Sequence, residues 1–209
     1  DGAAAIFDAA SKSAQDNPLL IEAHAALFWY RRNYAAVRKL YASMTPAASF
    51  SAQDIEAAQG DLEWATGDRP LARKYYLRAE SPVEAQVAQN MNSAYLHGAL
   101  GWIYARLGRD REALEQGEIA VKLSPMDKNF IASTAAIFKL AQIQAQVGQM
   151  DEAVANLDHL LAIPAGGYVS VPVLKLDPVW DLIRDDPRFQ ALLKKYSNAT
   201  PAPESHSSG

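Results

Sequence analysis

Apolar residues recur along most of this chain at intervals of three and four, the spacing that lines one face of an α-helix. Period-two alternation, the mark of a half-buried strand, is rare. The pattern predicts helices throughout. In residues 3–14, Ile6, Phe7 and Ala10 share a face, and Asp16-Asn17-Pro18 ends the helix. The next helix runs from Pro18 to about Tyr30. After a turn at Arg32-Asn33, its partner runs from Tyr34 to Met44 with Val37 and Tyr41 inward, and residues 45–49 form a linker. Ser51, with Asp54 three residues on, predicts a capped start for the next helix. Ala72, Tyr76 and Ala79 line the inner face of its partner.

Ser81-Pro82 reads as a cap followed by a first-turn proline, so a new and unusually long helix is expected from Val83 to about Leu107. Another long helix is expected from Lys128 to Val147, after Pro125. Ala153 and Leu157 then resume the inner face. Residues 164–167 break the pattern, and Tyr168–Val173 reads as a β-prone loop. Asp177-Pro178 and Asp186-Pro187 should start two short helices, Val179–Arg184 and Arg188–Tyr196. Residues 197–209 are rich in Pro and Ser and read as a disordered tail.

The segment Ala94–Asp127 carries Leu100, Gly101, Tyr104, Gly108, Ala113, Ala120 and Pro125 in the order and spacing of a tetratricopeptide repeat, a helix-turn-helix unit of about 34 residues. The core of the chain resembles bacterial members of that family. The resemblance implies an all-α fold, a right-handed superhelical solenoid of antiparallel helix pairs. About four repeats would fill residues 1–162, the first a half-repeat, with a loop and capping helices over 163–196 and the tail at 197–209. Departures are His97, where the family has a large apolar residue, and Gly117, where it has an aromatic; the latter suggests a thinner or kinked helix. Gly67, Gly108 and Gly148 mark the turns. Their spacings of 41 and 40 exceed the family's repeat, which suggests extra turns at the helix starts.

Leu176–Leu193 is similar to the closing segment of repeat regions in large bacterial proteins that carry an N-terminal serine/threonine kinase or winged-helix DNA-binding domain. Trp180, Leu182, Ile183, Phe189, Leu192 and Leu193 should bury against the last repeat, with Arg184, Asp185, Asp186, Lys194 and Lys195 in water. With its Asp-Gly-Ala start and opening half-repeat, the chain is expected to be the C-terminal repeat region of a larger bacterial signalling or regulatory protein, cytoplasmic in location.

Composition narrows the partners. The 209 residues carry a net charge of -4 and a pI near 5.6, which gives no electrostatic reason to expect nucleic acid or an anionic membrane surface. No apolar run approaches the ~18 residues of a membrane span, and no secretory signal pattern opens the chain. There are no cysteines, so disulfides and thiolate metal sites are excluded. His24, His97, His159 and His206 lack metal-ligand spacing; no phosphate loop or nucleophile elbow is present, and paired acids read as solvated faces. Neither a catalytic residue nor a cofactor or metal is expected.

In the family, first helices line the concave side, which binds peptides. Register transfer from Gly101 places Glu22, Ala26, Trp29, Tyr30, Ala57, Asp61, Trp64, Tyr95, Gly98, Trp102, Arg106, Phe138, Gln142 and Gln146 there. Of these Glu22, Trp29, Tyr30, Asp61, Trp64, Tyr95, Trp102, Arg106, Phe138 and Gln142 form the candidate groove. The Lys and Asn with which family members grip a peptide carboxylate are absent from these positions. The expected occupant is a peptide or partner helix with apolar anchors and basic residues facing Glu22 and Asp61. Aromatics at helical spacing also pack between helices, so the sequence leaves both roles open for Trp29, Trp64 and Trp102. The alternative function is a structural arm that forms a homodimer.

Overall fold

The computed structural model describes residues 18–44, 46, 51–163 and 169–197, with the side chains of residues 18–20 and Glu22 outside the description. The expectations for residues 3–14, for the linker apart from Pro46, for residues 164–168 and for the tail beyond Ser197 therefore lie outside it. Within the described residues the chain is all-helical, with no strand. The elements are α1 (Pro18–Tyr30), α2 (Tyr34–Ser43), α3 (Ala52–Thr66), α4 (Arg69–Gln89), α5 (Ala94–Leu107), α6 (Asp110–Leu123), α7 (Phe130–Gln146) and α8 (Met150–Ala162). They are followed by α9 (Val171–Leu176), a 3-10 turn at Pro178–Leu182, and α10 (Pro187–Ser197). No described helix is long and apolar enough to cross a membrane.

Local chemistry accounts for most ends. Ser51 and Asp54 form a reciprocal capping box at α3, and Asp68, Ser93 and Asn129 accept backbone N–H groups at the starts of α4, α5 and α7. Gly67, Gly108 and Gly148 turn the chain at φ 92°, 80° and 86°, a left-handed region open to glycine without steric cost. Arg32 has φ 55° at the α1–α2 turn, where no glycine is available.

The expected helix start at Ser81-Pro82 does not occur. Pro82 lies inside α4, and the break falls at Asn90–Ser93. Proline removes one backbone bond there, but Ala79 and Val83 on either side are buried at 0% and 3% exposure, and that packing carries the helix through. The extra length thus extends α4 at its end rather than α5 at its start. Two smaller expectations also change. Val171–Leu176 is a helix capped by Ser170 rather than a loop. Leu182 is 66% exposed, unlike Trp180, Ile183, Phe189, Leu192 and Leu193, which are buried.

Two apolar clusters hold the helices together. One joins α4, α5 and α6 through Tyr76, Val83, Leu100, Ile103 and Ala113, and takes in Ile143 of α7. The other joins α7 and α8 to the C-terminal elements through Ile137, Leu157, Leu160, Leu174, Trp180 and Phe189. Trp180 is fully buried between Phe138 and Phe189, at ring separations of 5.6 and 5.9 Å. Helix α6 is continuous through Gly117. A Cβ there would lie 2.8 Å from Leu140 Cδ1, so the missing side chain lets α7 approach and does not kink α6.

The C-terminal segment also reaches the first described helix. Trp29 Nε1 donates to Asp177 Oδ1 at 2.9 Å, and the Arg32 guanidinium grips Asp181 with two bonds of 2.5 and 2.7 Å. Val179 packs on the edges of both apolar clusters. Residues 177–182 thus form a strap tied to both ends of the helical array.

Candidate functional site

Asp61 is the polar centre. It sits on α3 one residue after Gly60, where a Cβ would lie 2.7 Å from the Tyr76 ring. That close approach brings the Tyr76 hydroxyl to Asp61 Oδ1 at 2.7 Å. Trp102 Nε1 donates to the same oxygen at 2.9 Å, and Arg106 Nε stands 3.6 Å from it. The Arg106 guanidinium lies over Trp102 and Trp64, 4.1 and 4.4 Å from their ring centres, and donates to Gln146 Oε1 at 2.6 Å. Arg69 covers Trp64 at 3.7 Å. Burial, and then the charge of Asp61, push the Tyr76 hydroxyl well above its ordinary pKa. Burial, then repulsion from Arg106, hold Arg69 below its ordinary value.

Three hollows meet at Asp61. The first, a chamber of about 580 Å³, is walled mainly by three helices: Ala57 and Ala58 from α3, Tyr95, Gly98, Ala99 and Trp102 from α5, and Ala135, Phe138, Lys139 and Gln142 from α7, with Val83 of α4 and Ser124 after α6 completing the lining. The second, about 510 Å³, lies among Ala26, Trp29, Tyr41, Ile55 and Val179. The third, about 290 Å³, holds Trp29, Trp64, Arg69, Arg106 and Gln146 against Pro178–Leu182 of the strap.

The chamber collects Asp61, Tyr95, Trp102, Phe138 and Gln142 of the candidate groove, and the third hollow adds Trp29, Trp64 and Arg106. Trp102 and Arg106 are largely buried, at 5% and 7% exposure, whereas Trp29 and Trp64 are half-buried. Tyr30 lines none of these hollows; its half-buried hydroxyl is raised by burial and by Asp177. The Glu22 side chain lies outside the described residues. Asp61 lines all three hollows, and its carboxylate already accepts from Tyr76 and Trp102 and stands beside Arg106.

The sequence reading missed Lys139. It is the single charged residue of α7, a signal visible in the sequence. Its stem crosses α5 at Gly98, where a Cβ would lie 3.3 Å from Lys139 Cγ, and its ammonium stands 5.0 Å from the Trp102 ring centre. Burial lowers its pKa, offset in part by Asp61 and Asp177. Gln142, one turn on and 7% exposed, has its Oε1 buried with no donor.

No group of His, Cys, Asp or Glu among the described residues could hold a metal ion. Comparison with known proteins found no matching protein family, no matching curated protein and no matching solved structure.

Proposed function

We propose that the chain is a binding module of tetratricopeptide type, a right-handed solenoid of antiparallel helix pairs whose concave face takes a peptide or a segment of a partner protein. The observation that carries this reading is that alternate helices α3, α5 and α7 jointly wall one continuous chamber. That is where first helices of successive repeats would stand. The left-handed turns at Gly67, Gly108 and Gly148 support the same register. Tyr95, 66% exposed at the rim, and Phe138 offer ring surface to apolar anchors. The wider setting, the C-terminal repeat region of a bacterial signalling or regulatory protein, belongs to this proposal and rests on sequence resemblance alone.

Filling the chamber tests it. Ala58 lines the chamber and is only partly buried, so Ala58→Trp places an indole in the space at little cost to the core. Glu115→Trp, at an exposed position of α6, is the control. Partners captured by the wild type and by Glu115→Trp should be lost with Ala58→Trp, with all three proteins showing equal helicity. Retention of the same partners by Ala58→Trp overturns the reading.

A further inference from the structure

We propose that the chamber between α3, α5 and α7 binds a small carboxylic acid with an apolar body, its carboxylate held by the Lys139 ammonium and the Gln142 amide. This inference rests on the reading of that face as the binding face and names the chemistry that it takes.

The Lys139 ammonium has no carboxylate within ion-pair distance among the described residues. The carboxylates whose charge reaches it, Asp61 and Asp177, are engaged elsewhere: Asp61 accepts from Tyr76 and Trp102, and Asp177 from Trp29 and the Val179 N–H. Among the described residues the ammonium meets the Trp102 ring, 5.0 Å from its centre. Lys139 is partly buried, and an ammonium partly withdrawn from water without an ion-pair partner is unfavourable; a ligand carboxylate would relieve that penalty. Gln142 is the second observation. Its terminal oxygen is buried without a donor, and no bond fixes which way the amide faces. Turned over, it donates N–H to a carboxylate, a bond that carries one full charge and is correspondingly strong.

The charge count sets the ligand class. Among the described residues one cation of the chamber is open, because Arg106 is committed to Asp61, Gln146 and two indoles. A monocarboxylate matches it; a phosphate monoester would leave a second charge unpaired. The remaining walls are mostly alanine methyls with the Trp102 and Phe138 rings, which accept hydrocarbon and offer it few polar partners.

Calorimetric titration of the full chain with sodium octanoate, octanol and octylamine at neutral pH tests the proposal. Octanoate should bind the wild type about tenfold or more tightly than octanol or octylamine. Lys139→Met, which keeps the apolar stem, should lose that preference, and Lys139→Arg should keep it. Equal octanoate binding by Lys139→Met, equal binding of octanol, or no octanoate binding overturns the proposal. The hexapeptide acetyl-hexaalanine, as free acid and as amide, separates the sources. If only its free acid binds and octanoate does not, the small acid is overturned and the binding face stands. If octanoate binds the wild type while Ala58→Trp retains its protein partners, the partner reading fails and the acid site stands.

Discussion

The turn at Arg32 sets two energies against each other and gives a quantitative test of the strap. Arg32 holds φ 55°, a left-handed conformation that costs a residue with a Cβ roughly 1–2 kcal/mol. Its guanidinium makes two bonds to Asp181, with both side chains close to half exposed, at 44% and 43%. A pair so exposed contributes about 0.2–1 kcal/mol, and the bidentate geometry favours the upper end. Arg32→Ala keeps the backbone cost and loses the pair, so it should destabilise by up to about 1 kcal/mol. Arg32→Gly also loses the pair but relieves the backbone. Set against the ~0.5–1 kcal/mol that glycine loses in chain entropy, the relief leaves the Gly variant more stable than the Ala variant by about 0.5–1 kcal/mol. Urea unfolding followed by circular dichroism reads the difference. Asp181→Asn, which also weakens the bonds from Arg184, should cost the wild type more than Arg32→Ala does, and should cost Arg32→Gly only the Arg184 share. A Gly variant no more stable than the Ala variant would refute the strained-turn reasoning. Additive losses in Arg32→Gly/Asp181→Asn would refute the strap.

Three further outcomes follow from named contacts. Gly101→Ala should destabilise by about 1–3 kcal/mol in the same assay, because its Cβ would meet the Ala113 carbonyl oxygen at 2.9 Å, and backbone cannot step aside as a side chain can. Trp180→Ala should cost about 3–5 kcal/mol and lower the melting temperature, since the fully buried indole fills the space between Phe138 and Phe189. The carboxylates divide by sign. Asp181, bonded to Arg32 and then Arg184, and Asp158, bonded to Lys195, are held below the usual carboxylate range. Their stabilisation is present above the ordinary value near ~4 and is lost as pH falls through their lowered values. Burial raises Asp177, so its folded form binds the proton more tightly and its contribution declines as pH rises above that ordinary value. Asp177→Asn, which can still accept from Trp29 and Val179, should therefore gain stability relative to wild type between pH 4 and pH 7 in urea titrations. A constant difference would show that Asp177 does not titrate in that range.

What the sequence revealed was local. The glycine turns, the Ser51–Asp54 box and the inner faces at Ala72, Tyr76 and Ala79 are short-range signals of backbone and periodicity, and the structure places them as read. Pro82 misled because its usual meaning at a helix start competes with burial of its neighbours, which a linear reading does not weigh. The strap was hidden for another reason: Trp29 and Asp177 are 148 residues apart, and no periodicity links them. Within the candidate site, register transfer named Tyr95, Trp102 and Phe138, which line the chamber. It passed over Lys139 because a lysine in an apolar helix reads as a solvated interruption. Only the missing side chain at Gly98 shows that its stem turns inward across α5.

The indole N–H signals of the four tryptophans give the most direct test of binding in the chamber. Trp102 lies in the chamber wall, bonded to Asp61 and close to Lys139, whereas Trp180 is sealed between Phe138 and Phe189. In a proton–nitrogen correlation spectrum titrated with sodium octanoate, the Trp102 signal should move in a saturable manner, the Trp180 signal should stay fixed, and Lys139→Met should abolish the shift. A Trp102 signal that stays in place while octanoate binds, or a shift that survives in Lys139→Met, would contradict binding at Lys139.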